Sequence, residues 1–227
     1  MLRKAILLIL SFSLLLIGFT ACGDATSGKV YKIGISQLAE HPALDSAREG
    51  FIEALKEAGY EDGKNISIDY QNAQGDVTNA QTIARKFADE KVDMILAIAT
   101  PAAQAAANVT KDIPILITAV TDPVSAGLAE SLEKPGGNVT GTTDMNPVAE
   151  QLELVKDLMP QAEKVGILYN SGEINSKIQV DIAKEAAANL GLTLMEAAVS
   201  NSNEVSQATQ SLMGRVDAIY VPTDNTI

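Results

Sequence analysis

Short aliphatic runs alternate along the chain with longer stretches whose apolar residues recur every three or four positions. The run at 30–36, VYKIGIS, predicts a first strand, and the spacing of Ala47, Phe51 and Leu55 predicts a helix over 42–59. The same pattern predicts strands over 65–71, 93–99, 113–118, 164–169, 193–199 and 216–221, and helices over 77–90, 147–158, 174–190 and 203–213, with one further helix after Pro101.

The regular alternation of strands and helices predicts parallel sheets flanked by helices, which is an α/β fold. Strands such as MILAIA and IPILITAV are apolar throughout, as expected when helices cover both faces of a sheet. Residues 121–146 are rich in Gly, Pro, Thr and Asn and interrupt this rhythm, so they are interpreted as a connection. We therefore predict two α/β lobes, over 30–136 and 137–227, with a crossover near 137–141 and a hinge that includes 136–141.

The sequence stops at VPTDNTI, directly after a predicted strand and where the next helix is expected to begin. The second lobe then has only three predicted strands, and no segment returns to the first lobe. One β-α-β unit takes about 30 residues or more. We therefore expect further units of the second lobe to lie beyond Ile227, in a C-terminal part that this sequence lacks.

The first 28 residues follow a different pattern. Arg3 and Lys4 precede a nearly uncharged apolar stretch over 5–21, and small residues come just before Cys22. This order is typical of a secretory signal peptide. An uncleaved transmembrane anchor is the alternative, because about 17–25 apolar residues can span a bilayer. Polar residues at 23–28 follow and favour the signal peptide, and in either case the body of the protein lies outside the cytoplasm.

Cys22 is the only cysteine of the chain, and its surroundings resemble the lipobox of bacterial lipoproteins, although Phe19 and Thr20 depart from the commonest pattern. In a lipobox the cysteine is lipidated and becomes the first residue of the mature protein. A single thiol cannot form an intrachain disulfide, and a thioether-linked lipid removes an exposed thiol. We expect a signal peptide over 1–21, a flexible tether over 22–29 and several acyl chains, such as palmitate, on Cys22, because stable anchoring needs more than one.

The charge of the chain argues against one class of partner. Seventeen Lys and Arg stand against 29 Asp and Glu, so the formal net charge is −12, and aromatic residues make up 4%. Nucleic acids require a concentrated basic surface and often aromatic residues for base stacking. We therefore expect no nucleic-acid partner.

Small polar residues follow nearly every predicted strand. In parallel α/β sheets, ligands bind beyond the carboxyl ends of the strands. Ser, Thr, Asp and Asn are also the ordinary N-cap residues of helices, so any single segment can be explained by capping. Their combined length exceeds what capping needs, and a binding site is therefore predicted where these segments converge. The segments are 36–45, 100–104, 118–125, 142–146, 169–176 and 222–226.

No set of residues in the sequence makes a positive case for an enzyme. His41 is the only histidine, and no G-x-S-x-G elbow accompanies it. No cluster of His, Cys or carboxylates has the spacing of a metal site, and neither G-x-G-x-x-G after a strand nor G-x-x-x-x-G-K-[ST] occurs. His41 is interpreted as a hydrogen-bonding residue in the wall of a site or as a plain loop residue.

Taken in order, the segments ISQLAEHPALD, TAVTDPVSAGL, GGNVTGTTD, GILYNSGEINS and VPTDN resemble the substrate-binding lipoproteins of bacterial ABC importers. More narrowly, they resemble the subgroup associated with tryptophan, tyrosine and related aromatic amino acids. The similarity runs from about Lys29 to Thr226. It implies a periplasmic-binding-protein-like fold in which two lobes close on one ligand, a closed form that docks on a membrane permease, and no cofactor.

The resemblance also implies how an amino acid would be held. Free N–H groups at a helix N-terminus, near Thr100 to Ala103, suit the carboxylate because the helix dipole adds to the hydrogen bonds. We expect Asp224 on the second lobe to bind the ammonium group. Asn170 and Glu173 are expected to help Asp224, and the residues expected to line the remaining walls are Thr121, Asp122, His41 and Ser171.

Two other functions remain open at this point. An extracytoplasmic ligand-sensing module could share the fold, and it would need a transmembrane signalling segment downstream. A surface hydrolase is disfavoured because the sequence shows no paired nucleophile and base.

Overall fold

The structure, a computed structural model, describes residues 29–227, so the predicted signal peptide and Cys22 lie outside the described residues. Strands and helices alternate along most of the chain, as predicted. The strands are β1 (Tyr31–Gln37), β2 (Ile66–Asn72), β3 (Met94–Ile98), β4 (Ile115–Val120), β5 (Val139–Thr143), β6 (Lys164–Asn170), β7 (Thr193–Val199) and β8 (Ala218–Tyr220). The helices are α1 (Pro42–Glu57), α2 (Val77–Asp89), α3 (Thr100–Val109), α4 (Val148–Leu158), α5 (Ile174–Asn189) and α6 (Val205–Leu212), with a short 3-10 helix at Ser202–Glu204.

The strands form two parallel sheets. Five strands pair in the order β2-β1-β3-β4-β5, and three pair in the order β7-β6-β8. We call the parts that carry these sheets the first lobe and the second lobe. This arrangement confirms the predicted α/β, periplasmic-binding-protein-like class. Within residues 29–227, no helix is long and apolar enough to cross a membrane.

Strand β5 lies inside the segment that was interpreted as a connection. It pairs with β4 at the edge of the first sheet, and Val139 belongs to the core of the first lobe. The chain therefore passes from one sheet to the other between Thr143 and Lys164, beyond the predicted crossover at 137–141. Its sequence, VTGTT, is short, and four of its five residues are exposed. An exposed strand needs few apolar residues, so the hydrophobic pattern did not predict it.

Each lobe has its own apolar core. In the first lobe, the aliphatic faces of β1 and β3 pack with Phe87 of α2, and Phe87, Ile35 and Ile95 are fully buried. In the second lobe, Leu152 of α4 and Ile167 of β6 are fully buried. Burying a side chain of this size stabilises a fold by about 1.5–3 kcal/mol relative to leaving it in water. Each sheet is thus held rigidly, which leaves the strand ends as the places where polar groups can be presented.

Gly141 allows β5 to approach β4 closely. Its φ is +152°, and a Cβ at this position would lie 2.0 Å from the carbonyl oxygen of Ile117. The neighbouring atoms belong to the backbone of a central strand, so they cannot move aside. The register of β5 against β4 also shifts between Ile117 and Val120. The position of β5, and of the residues that follow it, depends on this glycine.

We expect Gly141→Ala to lower the free energy of unfolding by more than about 2 kcal/mol, because the methyl group would overlap the backbone of β4. Gly137→Ala is the matched control, since a Cβ there meets no atom within 4 Å. That control is expected to change stability by no more than about 0.5 kcal/mol. Urea denaturation of the two variants measures both values, and equal stabilities would contradict the close approach.

Candidate functional site

The carboxyl ends of the strands in the two lobes meet at a cleft, which we call the interlobe cleft. Its volume is about 320 Å³. The first lobe contributes residues from the ends of β4 and β5 and from the start of α1, and the second lobe contributes the start of α5 and the segment after β8. The lining residues are His41, Ala43, Leu44, Thr118, Ala119, Thr121, Asp144, Asn175, Thr223, Asp224 and Asn225.

A second depression, which we call the adjoining recess, has a volume of about 610 Å³ and shares Asn225 with the interlobe cleft. Its walls are the loops after β1 and β2, Pro101 of α3, and the loops after β6 and β7. Its lining residues are Leu38, Ala39, Glu40, Gln74, Gly75, Asp76, Val77, Pro101, Asn170, Gly172, Glu173, Ser200, Asn201, Ser202, Asn225 and Thr226.

A buried amide holds the loop between β1 and α1. The side chain of Gln37 is fully buried; its Nε2 donates to Asp45 at 3.0 Å, and its Oε1 accepts from Arg48 at 3.1 Å. Arg48 also donates to Asp45 at 2.8 Å. His41 ends this loop as the N-cap of α1, where its Nδ1 accepts from the Ala43 N–H at 3.2 Å. The imidazole is therefore fixed at the rim of the cleft as a capping group.

The N-terminus of α3 has no side-chain cap. The N-cap residue, Ala99, has φ +82° and ψ 151°, a conformation that is rare for any residue except glycine. The N–H of Ala103 donates to the Ala99 carbonyl, and Pro101 has no N–H. The N–H groups of Thr100 and Ala102 have no intrahelical acceptor, as is usual in a first helical turn. Both residues are buried, and Pro101 between them lines the adjoining recess.

Asp224 is the centre of a hydrogen-bond network in the second lobe. Its Oδ2 accepts from the Asn170 N–H at 2.7 Å and from the Ser176 hydroxyl at 2.6 Å. Its Oδ1 accepts from the backbone N–H groups of Thr226 at 2.8 Å and Ile227 at 3.3 Å. A carboxylate offers about four acceptor sites. Asp224 thus lines the cleft while all four of its sites are already used by the protein.

Glu173 is 5% exposed and accepts only from uncharged donors, the amides of Asn175 and Asn225 and the hydroxyl of Thr226. Burial raises the pKa of the Glu173 carboxyl above its usual value, and the neighbouring charge of Asp224 adds to this rise. The three hydrogen bonds lower the pKa and offset part of the effect. Glu173 thus ties the start of α5 to the segment after β8.

Asp144 follows β5 and lines the interlobe cleft opposite the second lobe. Its Oδ1 is buried and has no hydrogen-bond partner. Burial raises the pKa of the Asp144 carboxyl above its usual value, and a hydrogen bond with the Thr121 side chain lowers it only in part. The sequence placed Asp144 in a strand-end segment but did not single it out, because the strand before it was not recognised.

Four buried side-chain atoms in the described part of the chain have no hydrogen-bond partner. They are Ser36 Oγ, Thr100 Oγ1, Asp144 Oδ1 and Asn175 Oδ1. Ser36, Thr100 and Asp144 lie at or just after the end of a strand in the first lobe, and Asn175 lies in the first turn of α5. An unpaired buried polar atom costs about 1–3 kcal/mol. Of the four residues, Asp144 and Asn175 line the interlobe cleft.

The structure brings some of the predicted site residues together and separates others. His41, Thr121 and Asp224 line the interlobe cleft, and Asn170 and Glu173 line the adjoining recess. Thr100, Ala103, Asp122 and Ser171 line neither space, and Thr100 is 1% exposed.

The two predicted wall residues outside both spaces have structural partners. Burial would raise the pKa of Asp122, but hydrogen bonds from Ser125 and Val124 outweigh it and hold this pKa below its usual value. The Asp122 carboxylate caps the turn that follows it, at 3.0 Å from the N–H groups of Val124 and Ser125. The N–H of Ser171 donates to the Val199 carbonyl at 3.0 Å, which ties the loop after β6 to β7.

The cleft and the recess are lined by acidic residues without basic partners. Asp144 and Asp224 line the cleft, Glu40, Asp76 and Glu173 line the recess, and neither set contains Lys or Arg. Over residues 29–227, no group of three or more His, Cys, Asp or Glu side chains is placed to hold a metal ion. The site therefore favours a positive group, and a negative group on the same ligand would have to be met by N–H and hydroxyl donors.

Comparison with known proteins relates the chain to solute-binding proteins. It is 58% identical over 201 residues to the "Tyrosine-binding protein" of Clostridioides difficile (strain R20291), covering 88% of this chain. It is 43% identical to a domain from Streptococcus pneumonia solved in complex with L-Trp (TM-score 0.83, 88% of this chain). It is 57% identical to the ligand-free, open structure of a substrate binding protein with adhesive properties from Clostridium difficile (TM-score 0.62, 86% of this chain).

The chain spans 58% of the length of the tyrosine-binding protein, and 67% and 66% of the lengths of the two solved chains. The profile of the family described as "ABC transporter substrate binding protein" matches residues 32–227, which is nearly all of the described chain. This family consists of binding proteins rather than enzymes. The chain belongs to the ABC transporter substrate-binding protein family.

Proposed function

We propose that the chain captures an amino acid, of the aromatic type, between its two lobes for delivery to an ABC importer. The observation that carries this proposal is a cleft between the two lobes in which Asp144 of the first lobe and Asn175 of the second each have a buried oxygen without a hydrogen-bond partner. They supply a carboxylate oxygen and an amide oxygen. A ligand with hydrogen-bond donors could satisfy both.

The charge of the site supports a zwitterionic ligand. Since no Lys or Arg lines the cleft or the recess, a ligand with only negative groups would face Asp144 and Asp224 without compensation. A carboxylate would be favoured at the uncapped N-terminus of α3, where the Thr100 hydroxyl and the Ala102 N–H add to the helix dipole. An α-amino acid meets both conditions, with its carboxylate at α3 and its ammonium group toward the acidic residues.

The arrangement of the lobes supports a closed, ligand-binding conformation. The chain superposes better on the L-Trp complex, at TM-score 0.83, than on the open, ligand-free structure, at 0.62, although its identity to the latter is higher. Ile174, the first residue of α5, packs against the core of the first lobe. Ligand binding would then favour closure because the ligand bridges groups on opposite lobes. We propose that the closed form docks on the permease.

Two relatives support an aromatic side chain, since one is named a tyrosine-binding protein and the other was solved with L-Trp. The cleft offers Leu44 and the methyl groups of Ala43 and Ala119 as apolar surface beside its polar residues.

Isothermal titration calorimetry on the full-length protein tests this proposal. We expect L-tyrosine or L-tryptophan to bind one per chain with an affinity in the micromolar range or tighter, about −8 kcal/mol. Tyramine or tryptamine, which lack the carboxylate, should bind roughly tenfold or more weakly, because the N-terminus of α3 would then face no anion. Equal affinity for the amine and the amino acid would contradict the placement of the carboxylate, and no binding of any amino acid would contradict the function.

We also propose that the protein is a lipoprotein anchored outside the cytoplasm through Cys22, after removal of residues 1–21. The support is the order of basic, apolar and small residues before the cysteine. An anchor of this kind would hold the binding lobes near the permease, while residues 23–29 would leave them free to move.

Cys22→Ser is expected to shift the protein from the membrane fraction to the soluble fraction or to the unprocessed precursor, because no acyl chain can be attached. Ser27→Ala, in the tether, is the matched control and should leave the protein in the membrane fraction. Cell fractionation with immunoblotting and mass spectrometry of the mature N-terminus measure both. Membrane retention of processed Cys22→Ser protein would contradict lipid anchoring.

A further inference from the structure

We infer that Asp144, rather than Asp224, is the carboxylate that binds the ligand's ammonium group, and that Asp224 positions the second-lobe wall of the site. This inference rests on the proposed amino-acid ligand. It follows from the hydrogen bonds that the carboxylate oxygens of Asp144 and Asp224 already accept within the protein.

The two carboxylates of the interlobe cleft differ in what they already bind. Asp224 accepts four hydrogen bonds, from Asn170, Ser176, Thr226 and Ile227, so an ammonium group would have to displace one of them. Displacing a donor would leave a backbone N–H or a hydroxyl unpaired in the wall of the site, at a cost of about 1–3 kcal/mol.

Asp144 has the opposite arrangement. Its Oδ1 is buried and accepts no hydrogen bond, and neither Lys nor Arg lines the same cleft. A desolvated carboxylate without a cation is unfavourable unless something supplies the positive charge. A ligand ammonium group would supply both the charge and the missing donor, in a hydrogen bond that is stronger than one between neutral groups.

The sheet places Asp144 at a suitable distance from the carboxylate subsite. Thr100 follows β3 and Asp144 follows β5, and β4 lies between these two strands. Two strand spacings of about 4.8 Å separate them by roughly 10 Å. The ammonium and carboxylate groups of an amino acid are about 3 Å apart, and two hydrogen bonds of about 2.9 Å bring the span to roughly 9 Å. One amino-acid head group can therefore connect the two positions across the end of β4.

The network around Asp224 explains why that residue still matters. It joins the loop after β6, through the Asn170 N–H, to α5, through Ser176, and to the segment after β8. These three segments form the second-lobe wall of the cleft and the recess. Loss of the Asp224 charge would loosen this wall and weaken every ligand, whatever groups the ligand carries.

The test compares two ligands on three variants of the full-length protein. L-Tyrosine and 3-(4-hydroxyphenyl)propionate differ in the ammonium group alone. Wild type should bind tyrosine roughly tenfold or more tightly than the analogue. Asp144→Asn should weaken tyrosine binding by roughly tenfold or more and leave the affinity for the analogue within about threefold, so the preference disappears. Asp112→Asn, an exposed acid before β4 at the other end of the sheet, is the control and should keep the preference.

Asp224→Asn should weaken tyrosine and the analogue by similar factors, which preserves the preference, and should lower the melting temperature. Asp144→Asn should raise the melting temperature of the unliganded protein, because the buried charge is removed while the amide can still pair with Thr121. A merely structural Asp144 would lower it instead.

The possible negative outcomes of this experiment contradict different claims. If wild type binds neither tyrosine nor tryptophan, the proposed function fails together with this assignment. If wild type prefers tyrosine and Asp144→Asn keeps that preference, the function stands and the assignment of Asp144 is overturned. If the preference disappears only in Asp224→Asn, the ammonium group binds Asp224.

Discussion

A polar atom that leaves water must find a partner inside the protein, and this constraint governs the account of the site. The lobes satisfy it almost everywhere: Gln37 donates to Asp45, Glu173 accepts from Asn175, and Asp224 accepts from Ser176. The exceptions in the described residues are four side-chain atoms, and those of Asp144 and Asn175 belong to residues that line the interlobe cleft. In the proposed function, the ligand supplies the hydrogen bonds that these two atoms lack.

The charges of the residues that line the cleft and the recess support a ligand that carries a positive group. The cleft has carboxylates and neither Lys nor Arg, whereas the N-terminus of α3 has no side-chain cap on its N–H groups. On one small molecule, a positive group would be recognised by a carboxylate of the protein, and a negative group by a helix N-terminus. Both partners lie on the first lobe, so the head group can bind there before the second lobe closes.

Much of the fold could be predicted from the sequence, because buried strands and amphipathic helices leave clear patterns. The predicted strand over 193–199 matches β7, and most other boundaries agree within two residues. Strand β5 was missed for a physical reason. It lies at a sheet edge with most of its residues exposed, and its fit depends on the backbone of Gly141 meeting Ile117, which no hydrophobic pattern records.

For the candidate site, the sequence indicated which segments to consider but not which of their side chains are free to bind a ligand. Each strand-end segment contributes at least one residue to the lining of the cleft or the recess, and Thr121 and Asp224 line the cleft. What the sequence could not show is which polar side chains use up their hydrogen bonds within the protein. In the sequence, Asp122 and Asp224 look as suitable for binding as Asp144. The three-dimensional contacts distinguish them: Asp122 caps a turn, Asp224 already accepts four hydrogen bonds, and Asp144 has an oxygen that accepts none.

A crystal structure of the full-length protein with bound L-tyrosine or L-tryptophan tests the central claim most directly. The account predicts that the ligand pairs the orphaned atoms, with its ammonium nitrogen within about 3.2 Å of Asp144 Oδ1 and its carboxylate within about 3.2 Å of Thr100 Oγ1 or the Ala102 N–H. An amino acid bound elsewhere, or bound in the cleft while Asp144 Oδ1 and Thr100 Oγ1 remain unpaired, would contradict it.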